Sequence, residues 1–210
     1  MCHEAIVDLY ERRAADFDRD RSRSLFERPW LDRFLTYVTE SGTVLDIGCG
    51  MAEPIARYVI ESGRRIVGVD SSPSMIALCR ARFPGAEWIV ADMRSLALGR
   101  RFDGVLAWDS FFHLHTDHQP GMFARFAAHA NPGAPLMYTS GTAHGEAIGI
   151  YHGEPLYHGS LAPAEYEALL AANGFALRSY KADDPQCAGH TVWLAAYGGL
   201  PGAGSTSSGP

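Results

Sequence analysis

The chain has 210 residues, 47% hydrophobic and 20% charged, enough apolar content to bury one core and too much for a disordered segment. Eighteen basic against twenty-four acidic residues give a net charge of −6, which argues against the electrostatic footprint of a nucleic-acid or anionic-lipid binder. No apolar run approaches the ~20 residues of a membrane helix, Met-Cys-His-Glu at the start lacks the regions of a secretory signal, and Cys2, Cys49, Cys79 and Cys187 form no CxxC pair, so a cytoplasmic, non-membrane domain is expected.

Residues 4–20 read as a thin amphipathic helix, with Ile6, Leu9, Tyr10 and Phe17 as its large apolar groups. A second helix is predicted where Leu31, Phe34, Leu35 and Val38 recur at helical spacing between Pro29 and Gly42. From Thr43 short apolar runs alternate with helical periods. The runs are Thr43–Ile47, Arg65–Val69, Glu87–Val90, Gly104–Ala107 and Pro135–Thr139. The helical stretches between them are Pro54–Glu61, Pro73–Phe83 and a segment ending at Ala130, opened by a candidate capping box, Thr116-x-x-Gln119. This alternation predicts a parallel sheet covered on both faces. Residues 140–160 read as a long irregular segment whose Tyr151, Tyr157 and three histidines suit the wall of a polar pocket. Pro163–Asn173 reads as a helix stopped by Gly174, and Phe175–Tyr180 and Thr191–Tyr197 read as strands. Their direct connection predicts an antiparallel last strand. Residues 198–210 are rich in Gly, Ser and Pro and read as a disordered tail.

Val44-Leu45-Asp46-Ile47-Gly48-Cys49-Gly50-Met51-Ala52 carries the most chemistry: a buried strand that ends in a glycine turn and opens a helix. Glycines there let the backbone approach a ligand. The third glycine of a dinucleotide fingerprint is replaced by Glu53, and a Walker loop's Gly-Lys-Ser/Thr is absent, so the loop suits a ligand with a cationic head and no phosphates. Asp70 ends the second strand, where ribose hydroxyls meet a carboxylate in related sheets, and Asp92 follows the third, where it can accept from an exocyclic amine. Singly, Asp46 reads equally as a loop cap, Asp70 as the start of a turn and Asp92 as an N-cap. Three acids at three successive strand ends beside one glycine loop are harder to ascribe to local structure.

VLDIGCG, the Val-Asp ending the second strand, the Ala-Asp after the third and FDGVLAWDSFFHL on the fourth together resemble the class I S-adenosylmethionine-dependent methyltransferases, over residues 40–197. The resemblance implies a Rossmann-like, doubly wound α/β fold: a seven-stranded, mostly parallel sheet with an antiparallel last strand, residues 41–197, preceded by an N-terminal helical lid over residues 1–40. It implies S-adenosylmethionine as cofactor. Asp46 and the Gly48-Cys49-Gly50 backbone would hold its methionine end. Asp70, with Ser71 and Met75 nearby, would bind the ribose, Asp92 and Met93 would flank the adenine, and Trp108 and Asp109 would lie beside the methyl. Tyr10 and Arg21 would close over it from the lid. Ala52 departs from the third glycine of many members and is small enough to be expected to do little harm.

Methyl transfer is an in-line displacement in which alignment supplies about 7–11 kcal/mol of the barrier, and a base is needed only for a nucleophile that must lose a proton. His113 is the first candidate for base or acceptor contact, followed by His115, Asp109 and Tyr151. His113, His115 and His118 form an HxHxxH spacing, too loose and too poor in Cys or Asp partners for a metal site, so no metal is expected. The predicted activity is methylation of a small-molecule O or N nucleophile by a monomer or homodimer. A non-catalytic S-adenosylmethionine-binding scaffold and a nicotinamide-dependent oxidoreductase are the alternatives. The second lacks a Tyr-x-x-x-Lys pair, Lys181 being the one lysine.

Overall fold

The computed structural model describes residues 4–199. Cys2 and the expected tail from residue 200 onward lie outside the described residues. The elements run α1 (Glu4–Arg12), α2 (Ala14–Asp20), α3 (Arg28–Leu35), β1 (Thr43–Ile47), α4 (Ile55–Glu61), β2 (Arg65–Asp70), α5 (Pro73–Arg82), β3 (Glu87–Val90), β4 (Gly104–Ala107), α6 (Gln119–His129), β5 (Pro135–Ser140), β6 (Gly145–Tyr151), β7 (Glu154–Ser160), α7 (Pro163–Ala172), β8 (Phe175–Asp184) and β9 (His190–Tyr197). Seven strands form one sheet in the order β3-β2-β1-β4-β5-β9-β8. β1 to β5 are parallel, and β9 runs antiparallel to both β5 and β8, as the sequence predicts. The order reverses between β1 and β4, and in such sheets ligands settle at the carboxyl ends of the strands flanking that reversal.

Continuous apolar strands bury both faces of the sheet. On one side Phe111, Phe123, Phe126, Tyr138, Tyr166 and Trp193 pack among α6 and α7; on the other Trp30, Leu31 and Phe34 of α3 pack with Ile55, Val59, Ile76 and Cys79 of α4 and α5. α3 is therefore part of the core, and of residues 1–40 only α1 and α2 lie over the strand ends. The helix expected over 4–20 is divided at Arg13, whose φ of −105° and ψ of 14° leave the helical range.

Residues 140–160 are not an irregular loop. β6 and β7 pair antiparallel in a separate two-stranded sheet, joined through His152 and Gly153 at φ 49° and 79°. Two successive left-handed residues make the turn that matches the twist of a hairpin. Ile148 and Ile150 point to solvent, 54% and 79% exposed, so the strand's inside–outside alternation is inverted and the usual strand signal is lost. The Thr116–Gln119 capping box does not form either. Thr116–His118 is a short 3₁₀ turn, and Gln119 is fully buried, donating through Nε2 to Leu114 O (3.1 Å) and Gly159 O (2.9 Å) while accepting from Tyr166 Oη (2.6 Å). That network ties the base of the hairpin to α6 and α7.

Candidate functional site

The glycine turn is built by backbone geometry. Gly48 N and Cys49 N both donate to Val69 O at 2.7 and 3.0 Å, turning the chain sharply out of β1. Gly48 has φ +79°, and a Cβ there would lie 2.2 Å from Ser110 Cβ, so only glycine fits. Ser110 in turn donates to Ile47 O at 2.7 Å. Ala52 holds φ +72° with its methyl buried. The departure from a third glycine thus matters through backbone conformation rather than side-chain size.

Asp70 fixes the other side of the turn. Its Oδ2 accepts from Gly50 N and its Oδ1 from Ser72 N, both at 2.9 Å. Burial raises its pKa against the pull of these backbone donors. Asp46 lies behind the loop, 4% exposed, and burial followed by the neighbouring charge of Asp70 pushes its pKa up to about 7. Two carboxylates in one buried corner form a site short of positive charge.

Two cavities open here. The first is lined by Ile6, Val7, Tyr10 and Phe17 of α1 and α2, by Gly48, Gly50, Asp70, Ser71, Met75, Asp92, Met93 and Arg94, and by Asp109, Ser110 and His113. The second holds Arg21, Phe112, Thr139, Ser140, His158, Asp183 and His190 and shares Tyr10, Phe17, Asp109 and His113 with the first. Those four side chains form the seam between a deep chamber and a more polar one. Asp92 N-caps the turn Met93–Ser95 through Arg94 N (2.8 Å) and also grips the Arg94 guanidinium, so its local reading and its position in the cavity hold together. Arg21 faces the second cavity, its charge met by the buried Glu27 at 2.5 Å.

Asp46, Cys49 and Trp108 line neither cavity. Cys49 packs with the core beneath α4 and α5, and Trp108 is buried there and stacked on His190 at 5.5 Å. His115 also turns away, toward Glu146 of β6 at 3.1 Å, and Tyr151 sits at the hairpin tip, donating to Asp20 at 3.4 Å. Among the described residues no group of three or more His, Cys, Asp or Glu is placed to hold a metal.

His113 stands at the seam, but its nitrogens are occupied. Nδ1 lies 2.8 Å from Tyr157 O, a pure acceptor, so it carries the proton, and Nε2 accepts from Tyr10 Oη at 3.0 Å. Burial drives its pKa down to about 4, a weak base at neutral pH. The sequence reading missed the better-placed pair: His190 Nε2 donates to Asp109 Oδ2 at 3.0 Å while Nδ1 donates to Cys187 O at 2.8 Å. Two acceptors for two ring nitrogens favour the imidazolium, and the hydrogen bond and charge of Asp109 outweigh desolvation and raise the His190 pKa. Thr139 completes the set, accepting from Asp109 N at 2.9 Å and donating to Oδ1 at 3.1 Å.

α1 and α2 are held over the first cavity by buried Ile6, Leu9 and Ala14 and by polar contacts. Glu11 accepts from Ser72 Oγ (2.5 Å), Ser74 N (3.0 Å) and Ser74 Oγ (2.6 Å) at the start of α5. Arg12 and Arg13 pair with Glu154, and Asp20 with His152, across to the hairpin. Glu11→Ala removes a cap-like interaction of ~1 kcal/mol, so the α1 amides are expected to exchange with solvent about fivefold faster in hydrogen-exchange mass spectrometry while those of β1 and β4 do not change. Unchanged exchange in α1 would show that Glu11 does not hold it.

The model of a methyltransferase domain matches residues 44–133. Over 129 residues, 60% of this chain and 49% of the relative, the chain is 34% identical to the dTDP-3-amino-3,6-dideoxy-α-D-glucopyranose N,N-dimethyltransferase of Streptomyces fradiae. Over 123 residues, 58% of this chain and 45% of the relative, it is 32% identical to the trans-aconitate 2-methyltransferase of Azoarcus sp. (strain BH72). The chain spans about half the length of these curated relatives. In fold it is similar to a SAM-bound amino pentose methyltransferase from Micromonospora echinaspora, with a TM-score of 0.69 at 21% identity over 88% of this chain and 95% of that one. The matched stretch runs from β1 through α6 and carries the glycine turn and all three strand-end acids.

Proposed function

We propose that this protein transfers a methyl group from S-adenosylmethionine to a small-molecule nucleophile, with the cofactor in the first cavity and the acceptor in the second. One observation carries the reading: the two chambers meet at a four-residue seam, and the deeper one is bounded by Asp70 and a glycine turn with no room for a side chain at Gly48. The residues fit the group. The chamber's own carboxylates, Asp70, Asp92 and Asp109, answer a cationic ligand with ribose hydroxyls, and Met75 and Met93 offer apolar walls to a base. When bound, the cofactor supplies an electrophilic methyl on sulfur. Gly50 and Asp70 orient it, and Tyr10 and Phe17 exclude water from above. The relatives' printed activities, on an amino sugar and on trans-aconitate, support a small acceptor.

No described helix is long and apolar enough to cross a membrane. With Cys49, Cys79 and Cys187 as free thiols and a net charge of −6, we propose a cytoplasmic setting and small molecules rather than nucleic acid as partners.

Calorimetric titration of S-adenosylmethionine and S-adenosylhomocysteine, with NADH as control, tests the reading. Both sulfur ligands are expected to bind and NADH is not; NADH binding in their place would favour an oxidoreductase, and binding of none would defeat the cofactor assignment. The pH dependence follows from Asp46, whose raised pKa makes its carboxyl neutral below about 7 and negative above it. The ionised form attracts the sulfonium, so S-adenosylmethionine affinity is expected to rise about fivefold from pH 6 to pH 8. In Asp46→Asn the rise should vanish.

A further inference from the structure

The second cavity identifies the chemistry of its ligand through the one carboxylate shared across the seam. Asp109 has φ +46°, a left-handed conformation that is unfavourable for a non-glycine residue. It is held there from two sides by Thr139 and His190. Asp183 and Ala188, on the rim of the same cavity, are also left-handed, at φ 45° and 51°. Strain gathered around one cavity marks a place where position matters more than stability.

We propose that Asp109 receives an N–H of the acceptor, that the acceptor is an amine, and that His190 and Thr139 are positioning residues acting through Asp109. This rests on the methyltransferase reading above and goes on to name the acceptor class. Each Asp109 oxygen keeps a lone pair beyond the bonds from Thr139 and His190, and the side chain faces both chambers.

The alternatives fail on basicity and charge. An aliphatic hydroxyl must lose its proton as it attacks, and the imidazoles of the second cavity are poor takers: burial lowers the pKa of His158, and the other two are occupied. His113 Nε2 is filled by the Tyr10 hydroxyl, and both His190 nitrogens are committed to Asp109 and Cys187 O. A carboxylate acceptor would meet Asp109 head on, because the two cations of the cavity, His190 and Arg21, are already paired with Asp109 and Glu27. An amine that arrives protonated first gives that proton to water at the mouth of the cavity, and the neutral amine then attacks without a base. Its nitrogen lone pair forms the new N–C bond as the S–C bond breaks and that pair returns to sulfur. The ammonium product then releases one proton to water through the mouth beside the exposed Asp183.

The test uses the full chain loaded with S-adenosylhomocysteine and saturation-transfer NMR on matched probes: benzylamine, benzyl alcohol and benzoate, and glucosamine, glucose and gluconate. The amines are expected to bind at least about tenfold tighter than their counterparts, and Asp109→Asn to erase the preference. His190→Ala should weaken amine binding about fivefold, and His190→Gln should restore it to within about twofold. The amide can donate to Asp109 but cannot reproduce the imidazole's stacking on Trp108 and Phe26, so rescue separates positioning from packing. Alcohols or carboxylates binding as well as amines, no amine binding at millimolar concentration, or a preference that survives Asp109→Asn would overturn the amine assignment. His190→Gln behaving like His190→Ala would overturn the positioning role. If wild-type protein fails to bind S-adenosylhomocysteine, the methyltransferase reading itself falls; if it binds without amine preference, this inference alone falls.

Discussion

Asp70→Ala is expected to lower affinity for S-adenosylhomocysteine about 100-fold, with the protein still folded by circular dichroism. Asp70 lines the chamber and is also the acceptor for Gly50 N and Ser72 N. Leaving a buried donor without a partner costs about 1–3 kcal/mol, and 100-fold in affinity corresponds to ~2.7 kcal/mol. The loss thus combines a missing ligand contact with a glycine turn no longer fixed on its outer side. Asp70→Asn separates the two: it keeps one acceptor oxygen but sets an amide N–H₂ against a backbone donor, so an intermediate loss of about tenfold is expected. Calorimetry on all three proteins decides. Binding by Asp70→Ala within about threefold of wild type would mean that the ligand does not depend on this acid.

Gly48→Ala is expected to be the most damaging single methyl in the chain. The added carbon would sit 2.2 Å from Ser110 Cβ, and the φ of +79° is unfavourable for alanine in any surroundings. Strain of ~1–2 kcal/mol from the backbone and ~1–3 kcal/mol from overpacking sum to about 3 kcal/mol. For a domain of this size that is a fall in Tm of roughly 6–12 °C. Differential scanning calorimetry reads the fall directly. Gly48→Ala, Ser110→Gly should recover part of it, because the second change opens the space that the first fills; no recovery would place the whole cost in the backbone.

The sheet was legible because its strands are near-continuous apolar runs, and because each strand-end acid stands next to a chain reversal that fixes its side of the sheet. The hairpin was not legible: β6 carries Ile148 and Ile150 outward, and its pattern of glycine and histidine obeys neither the strand nor the helix period. His152-Gly153 is the one local turn signal within 140–160 that marks the hairpin's tip. The site divides along similar lines. Asp70, Ser71, Met75, Asp92, Met93 and Asp109 line the first cavity because they follow strands, where distance along the chain translates into position. His115 and Tyr151 were chosen for chemistry alone, and their side chains point elsewhere. His190 was missed although a signal existed. An antiparallel β9 must begin where β5 ends, and Ser140 indeed pairs with Thr191, so the residue opening β9 is delivered to the carboxyl edge of the parallel strands. Arg94 was missed because nothing local distinguishes it from the surface arginines in which the chain abounds.

The β6–β7 hairpin is fastened unequally at its two ends. Its base is clamped by the buried Gln119 and Tyr166, whereas its tip meets α1 and α2 through Glu154, His152 and Tyr151, all at the surface. Such a strand pair is a lever with a stiff fulcrum and a salt-soluble latch. Tyr157 O is held by His113 Nδ1 at 2.8 Å, so the free arm is the three residues beyond it, about 10 Å at ~3.3 Å each, and a swing of ~20° carries the tip about 3.4 Å. That travel would part Asp20 from His152 while Gln119 keeps its bonds to Leu114 and Gly159. Raising salt from 0.01 to 1 M shortens the screening length from about 30 to 3 Å, which is expected to loosen the latch without touching the fulcrum.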